Sequence, residues 1–508
     1  MSTAQAAATG GEHSAPAIST VAGTGDAGFK EGKKPAGSAQ LNRPHSIAMD
    51  STGTLYISDY NNHRVRKVTT DGKISTVAGT GDAAFGGDGG LAVSAQLNCP
   101  REIALDSAGN LYIADAGNHR VRKVGADGKI STVAGTGAAD FGGDGGPATA
   151  ARLNSPYGVA VDSAGVLYVA DYNNHRVRKI AADGKISTVA GTGSATFGGD
   201  GGPAVSAQLH LPHGVAVDSA GVLYVADYKN HRVRKVGADG KISTVAGTGA
   251  ADFGGDGGPA TAARLNMPLG MVVDSAGTLY IADYQNHRVR KVAADGKIST
   301  VAGTGTAGSG GDGGPVVSAQ LNHPLGLAVD CVDALYIAEF DGHRIRKITV
   351  APMAGLPESG TVVSWGNVRS RLRMGVVRES TKDGAEVQQA LTAARDHQRW
   401  RLVVAGQVDG EVLYRIENVR SGKVLEVAGA GEAAGAAVVQ RAYEGDDARH
   451  QQWRLIPMGP VTGTPRVYEI ANGNSALLLR VDTNACAVVK QHGAEGDHPG
   501  RRWQLFPV

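Results

Sequence analysis

The sequence predicts an all-β chain, repeated four-stranded sheets followed by a second, smaller all-β domain, and three observations carry that prediction. The segment Asp-Tyr-Asn-Asn-His-Arg-Val-Arg-Lys at residues 59–67 recurs unchanged at 171–179, and its histidine falls at His63, His119, His175, His231, His287 and His343, a constant step of 56 residues. Each unit holds four short β-like runs separated by turn residues, the pattern of a repeated antiparallel sheet. Beyond residue 350 the period stops and a different spacing, of tryptophans, takes over.

Residues 1–12 read as a flexible N-terminus, and 13–350 as the repeats. In the third repeat the strands are expected at 158–162, 167–171, 175–180 and 186–191, with Ser-Ala-Gly, Asn-Asn and Ala-Asp-Gly between them. Four strands per unit, six times over, fit the blades of a propeller better than the coils of a solenoid. The ends sharpen this. Ser-Thr-Val-Ala-Gly begins at 19, 75, 131, 187, 243 and 299, so its first copy precedes the first inner strand at 46, and one period after 299 the chain reads Gly-Leu-Pro-Glu-Ser. The sixth unit lacks an outermost strand, and the N-terminal copy can supply it, a 3+1 closure that leaves no open end. Residues 351–360, rich in Pro and Gly, read as a linker, and 361–508 as the second domain.

The run Pro-x-Gly-[Val/Ile/Leu]-Ala-Val-Asp, then Leu-Tyr-[Val/Ile]-Ala-Asp, then Asn-His-Arg-[Val/Ile]-Arg-Lys resembles the NHL-repeat family of six-bladed β-propellers. That family is named for Asn-His-Leu; this chain has Asn-His-Arg in five repeats and Gly342-His343-Arg344 in the sixth. In the second domain Gln398-Arg399-Trp400, Gln451-Gln452-Trp453 and Arg501-Arg502-Trp503 resemble the Gln-x-Trp marks of the ricin B-type β-trefoil, the middle copy most fully. The resemblance implies that these tryptophans belong to a shared core.

The composition excludes little and supplies no pull of its own. Fifty Lys and Arg against 48 Asp and Glu leave a net charge of +2, which argues against whole-chain attraction to nucleic acid or anionic membrane. The three cysteines, Cys99, Cys331 and Cys486, have unrelated spacings, so neither a disulfide framework nor a Cys-x-x-Cys metal pair is expected. No signal peptide or membrane-spanning run is legible, which points to a cytoplasmic protein or a leaderless or processed secreted one.

Several motifs invite chemistry. The six copies, five Asn-His-Arg and one Gly-His-Arg, would stand around a ring too wide for one metal ion, so they read as side-chain networks that clamp each hairpin. The Arg-x-Arg-Lys after each suggests an RNA footprint, but its regular distribution reads better as a solvated edge with gatekeeping charges. The Gly-Gly-Asp-Gly-Gly segments at 86–90, 142–146, 198–202, 254–258 and 310–314 offer one Asp each, too few for a calcium loop, and read as flexible turns.

Positions that vary among the repeats are free of architectural duty. Those flanking the proline before each inner strand behave so: Arg43, Cys99, Ser155, Leu211, Met267 and His323 before it, and His45, Arg101, Tyr157, His213, Leu269 and Leu325 after it. They are expected to converge at the mouth of the central channel as a ligand-binding ring of which His45, Arg101, Tyr157 and His213 are the core. Pro44-His45-Ser46 and Pro212-His213-Gly214 are similar to the zinc-binding entries of peptidyl-hydroxyglycine α-amidating lyase. That resemblance implies zinc on His45, His213 and a displaced His323, with Tyr157 as base and Arg101 as carboxylate anchor. In the trefoil the family pairs an Asp with an aromatic platform. Here the Asp slots hold Gly375, Glu426 and Arg480, and the platform slots Gln389, Arg441 and Gln491. The resemblance implies one sugar site, in the middle copy, from Glu426, Tyr443, Asp446, Asp447 and Gln451. The sequence thus favours a non-catalytic binder of carbohydrate or glycoconjugate with no cofactor. A zinc-dependent lyase or hydrolase and a protein- or RNA-binding scaffold stand as alternatives.

Overall fold

The computed structural model describes residues 16–349 apart from 31–33, 51–52, 219, 275–276 and 331–333, and, in discontinuous segments, residues 362–507. Ala17–Asp330 with Ala334–Thr349 form one compact unit, and the second lies within Val350–Val508. The described residues form strands and short 3-10 turns, with no α-helix. No helix among them is long and apolar enough to cross a membrane, which says nothing of a membrane β-barrel.

The first unit is a series of repeated four-stranded antiparallel sheets, as in a β-propeller. In the third repeat the strands are Pro156–Val161, Leu167–Asp171, Arg176–Ile180 and Ile186–Ala190, paired in chain order. The first strands of successive repeats lie side by side, and that of the sixth, Pro324–Val329, lies beside that of the first, Pro44–Met49. Ala17–Ala22 pairs antiparallel with Arg344–Thr349, with Ile18 opposite Ile348 and Thr20 opposite Arg346. The core lies between neighbouring sheets: Ala114, Val121 and Ala134 of the second repeat pack with Leu153, Val159, Leu167, Val169 and Ile186 of the third. Both faces of each sheet are therefore covered, and this decides the fate of the basic strand.

The arginines expected at a solvated edge are buried. Arg66, Arg122, Arg178, Arg234, Arg290 and Arg346 are each 0% exposed. Alternation sends the preceding Val65, Val121 or Val177 to one covered face and the arginine to the other. A charge so enclosed needs counter-charges. Arg178 meets Asp171, the last residue of the second strand, at 3.2 Å and Asp144 at 2.5 Å. Asp144 is the aspartate of a Gly-Gly-Asp-Gly-Gly segment, so these segments are not flexible turns but carry ion-pair partners. Asp88, Asp200, Asp256 and Asp312 do the same for Arg122, Arg234, Arg290 and Arg346. Phe141 caps the pair, its ring lying 3.8 Å from the guanidinium of Arg176 and 4.9 Å from that of Arg178. Thr20 donates to Asp312 at 2.7 Å, as Thr188 does to Asp144, so the N-terminal strand repeats in the sixth sheet what each internal sheet does for itself.

The repeated histidine does not clamp its own hairpin. That work falls to the asparagine: Asn174 Nδ2 donates to Asp171 at 2.9 Å. The histidine reaches the next repeat. Its Nδ1 accepts the backbone N–H of the residue before the proline: His63 from Cys99, His119 from Ser155, His175 from Leu211, His231 from Met267 and His287 from His323, at 3.0–3.3 Å. His343 accepts from Arg43 at 3.1 Å. Donor and acceptor residues all have φ near +50°, a backbone state costing non-glycine residues about 1–2 kcal/mol each, which the latch offsets.

The latch works only with unprotonated Nδ1. Burial, the largest cause, holds the pKa of all six histidines below 6.5. The unfolded chain therefore takes up protons first as pH falls, and the contribution of each latch, full above pH 6.5, is lost below it. Replacing His231 by Asn, which tolerates the same φ, is expected to cost about 1 kcal/mol at pH 8. That difference from wild type should shrink toward zero at pH 5. Urea denaturation at the two pH values checks it, and a pH-independent difference would sink the latch.

In the second unit, strands from three segments pair around a ring: Val362–Asn367 with Trp400–Val408, then Glu411–Asn418, Trp453–Met458, Val467–Asn472, Trp503–Pro507 and back. Trp400 and Trp453 are fully buried with Trp365, and their indole N–H groups donate to Met374 O and Leu425 O at 3.0 and 2.9 Å.

Candidate functional site

Each inner strand of the first unit enters through the latched left-handed residue and its proline, which aims the next side chain at one end of the channel. There the inner strands approach so closely that a Cβ on Gly214 would collide with the carbonyl of Leu269, and one on Gly270 with that of Leu325. Hence Pro-x-Gly recurs, with the variable residue at the crowded end.

The structure brings His45, Arg101, Tyr157 and His213 together. His45 and His213, from the first and fourth repeats, stack with ring centroids 5.2 Å apart and are 1% and 6% exposed. They form a buried floor, not an open ligand surface. Arg101 donates to His45 Nε2 at 3.0 Å; since Arg is always a donor, Nε2 is the acceptor and the proton sits on Nδ1. Burial, then the charge of Arg101, holds both imidazoles well below 6.5, so both are neutral. Above the floor Arg101 lies over Tyr157 (3.5 Å) and Tyr60 (4.9 Å), and Tyr157 stacks on Tyr172 at 3.8 Å.

A second ring of residues was hidden in the sequence. The residue after each strand-ending acid is Tyr60, Ala116, Tyr172, Tyr228, Tyr284 or Phe340, and five of the six are half-buried aromatics around the floor. Tyr172 and Tyr228 contact His213, Tyr60 and Phe340 contact His45, and Tyr284 contacts Phe340. Burial raises the phenols of Tyr172 and Tyr284, leaving both as neutral hydroxyls. Below the floor Glu102 stands where four repeats have Gly, and its carboxylate accepts the N–H groups of Val159 and Val215 at 3.0 and 3.4 Å. Burial outweighs those bonds and raises its pKa to about 8. The channel beyond, about 190 Å³, is lined mainly by aliphatic side chains, among them Ile103, Val159, Val215 and Met271.

The residues do not fit a catalytic zinc. His323 stays apart from His45 and His213, packed on Tyr284 and His287 with Nδ1 2.9 Å from Asp341. The Nε2 of His45 is taken by a cation. Among the described residues no group of three or more His, Cys, Asp or Glu could hold a metal ion. Of each Arg-x-Arg-Lys run the second arginine is buried, which leaves the first arginine and the lysine at the surface.

In the middle copy of the second unit, Glu426 (2% exposed) accepts from Gln451 Nε2 at 2.8 Å and meets Arg441 at 3.1 Å. Gln451 is fully buried and also bonds Ala442 O and Glu444 N. It braces this corner, where the sequence reading gave it to a ligand. Tyr443 lies against Arg415, 4.6 Å from ring centre to guanidinium. Asp446 and Asp447 fall outside the described residues.

The repeated four-stranded sheets are those of a β-propeller, and comparison with known proteins says which families the two units resemble. Residues 18–124, 80–142, 136–197 and 248–310 match the teneurin NHL domain, 209–236 the NHL repeat, and 355–441 and 396–491 the ricin-type beta-trefoil lectin domain-like family. The chain carries NHL repeats followed by a ricin B-type trefoil region. It is 31% identical to teneurin-1 of Mus musculus over 290 residues, 49% of this chain and 10% of that protein. It is 29% identical to NHL repeat-containing protein 2 of Bos taurus over 338 residues, 60% of this chain and 46% of the relative. The chain therefore spans less than half the length of these relatives. A crystal structure of a Bacteroides thetaiotaomicron protein of unknown function aligns with TM-score 0.50 and 21% identity, covering 66% of this chain and 76% of that one, a likeness of fold alone.

Proposed function

We propose that the chain is a non-catalytic binding protein for a carbohydrate or glycoconjugate, seated on the aromatic collar of a closed six-bladed propeller. Closure by Ala17–Ala22 is supported by its pairing with Arg344–Thr349 and by the side-by-side sixth and first inner strands. The observation that carries the functional reading is the collar itself: half-buried Tyr60, Tyr157, Tyr172, Tyr228, Tyr284 and Phe340, with Arg101 over Tyr60 and Tyr157, Arg43 over Phe340 and Lys229 over Tyr228. A sugar presents apolar C–H faces that stack on such rings and hydroxyls that bond to phenols and guanidinium, and an apolar surface with a few placed polar groups is the makeup of a ligand site. The match to a lectin-like family adds support, with Arg441, paired to the braced Glu426, and the ring of Tyr443 in the same copy as a second place for sugar.

A glycan array probed with the intact chain tests this. Wild type is expected to bind a subset of glycans, and Tyr172→Ala to lose about tenfold in affinity, the worth of one stacked ring. A blank array would sink the reading. Binding that survives Tyr172→Ala and Tyr228→Ala but is lost in Tyr443→Ala would move the site to the trefoil.

A further inference from the structure

Resting on the collar as a saccharide site, we infer that its saccharide is acidic, bearing a carboxylate or a sulfate ester, and that Arg101 reads the charge. Where five repeats place an aromatic ring in the collar, the second places Ala116, and the guanidinium of Arg101 lies there between Tyr60 of the first repeat and Tyr157 of the third. Its hydrogen bonds go to neutral groups, His45 Nε2 at 3.0 Å and the Tyr60 hydroxyl at 3.4 Å. Its Nε is enclosed and has no hydrogen-bond partner among the described residues, as is also true of Arg122, Arg178 and Arg290.

No carboxylate among the described residues forms an ion pair with Arg101. Among the described residues Arg64, Arg120, Arg176, Arg232 and Arg288 also lie over a ring with no ion pair, but their hydrogen bonds go to backbone carbonyls, whereas those of Arg101 go to side chains of the collar and floor. Arg43, at the same end, is paired with Asp341 at 3.0 Å, and the enclosed Arg122, Arg178, Arg234 and Arg290 have two aspartates each. Glu102, the next residue, does not serve, because its carboxyl turns into the channel toward Val159 and Val215, where it is largely protonated at pH 7. A permanently charged, planar donor on an aromatic surface without a counter-ion is suited to charge-assisted, bidentate bonding of an oxyanion. Nucleic-acid grooves track the backbone with a row of cations; on the collar Arg101 has beside it Lys229, over Tyr228 at 5.0 Å, and Arg43, which Asp341 neutralises.

The test is an array holding neutral, uronate-bearing, sialate-bearing and sulfate-bearing glycans, probed in parallel with wild type, Arg101→Gln and Arg101→Lys, each first checked for an unchanged melting temperature. Acidic glycans are expected to exceed their neutral parents by tenfold or more for wild type. Arg101→Gln should lose that preference and Arg101→Lys keep part of it. Whether uronate and sialate or sulfate glycans dominate tells carboxylate from sulfate ester. Equal binding of acidic and neutral glycans, or a preference that survives Arg101→Gln, overturns the inference and leaves the sugar reading standing. A uridine hexamer bound more tightly than any glycan overturns it in favour of nucleic acid. A blank array removes the sugar reading beneath it.

Discussion

Replacing Asp227 by alanine is expected to destabilise the propeller by about 3–5 kcal/mol, the range for removing one partner of an enclosed ion pair. Asp227 is fully buried at the end of its strand and performs three tasks at once. It pairs with the enclosed Arg234 at 3.2 Å, accepts the N–H of His210 at 2.8 Å, and holds Asn230 Nδ2 at 2.9 Å. The variant would leave Arg234 with Asp200 alone, whose side chain is 38% exposed. Asp200→Ala should therefore cost less, on the order of 1–2 kcal/mol, because water can replace a half-exposed partner. The double variant Asp227→Leu/Arg234→Met should recover part of the loss, since neither member is then left as a buried, unpaired charge. Urea denaturation of the four proteins checks the order. A single variant milder than the exposed-partner variant would mean that the buried pair is not what fixes the hairpin.

The same residues show what the sequence could and could not disclose. The 56-residue period, the four strands and the spare Ser-Thr-Val-Ala-Gly were legible because local patterning and turn chemistry carry them. The arginine strand was misread for a physical reason. Alternation says which residues share a face, but not whether that face is covered. The partner that makes Arg178 tolerable inside, Asp144, lies 34 residues away in a glycine-rich loop. The histidines were misread similarly: Nδ1 of His175 finds its donor 36 residues on, across a repeat boundary.

The candidate site was legible in part. Searching for positions that break the repeat found His45, Arg101, Tyr157 and His213, which do meet. It passed over Tyr60, Tyr172, Tyr228, Tyr284 and Phe340 because near-identity looked like architecture, and the signal that could have found them was the one exception, Ala116. Glu102 was missed because it stands in the glycine slot, judged constant from the other repeats. His323 was placed wrongly because the residue before the proline has a left-handed backbone that turns its side chain toward Asp341.

Replacing Ile18 by aspartate is expected to have the widest effect of any single change. Ile18 is 0% exposed and packs with Leu335, Ile337 and Ile348 of the sixth repeat and Ala282 and Val289 of the fifth. Burying a carboxylate there without a partner should cost about 4 kcal/mol or more. The equivalent Ile186 is also buried, so Ile186→Asp makes the matching local change in the third repeat. Their consequences should differ. The strand of Ile186 is joined by a tight turn to its neighbour Arg176–Ile180, and losing its packing leaves the repeat order intact. The strand of Ile18 meets Arg344–Thr349 from the far end of the repeats, so its loss would part the first repeat from the sixth, free the edge of the last sheet and expose the Gly313 N–H that now bonds Ile18 O at 2.8 Å. Hydrogen exchange distinguishes the two. Ile18→Asp should deprotect the sixth repeat and the first together, while Ile186→Asp should deprotect the third and its neighbours. Matching local patterns in both variants would mean that Ala17–Ala22 only covers the sixth sheet, and that the proposed closure rests on the inner strands and on the latch from His343 to Arg43.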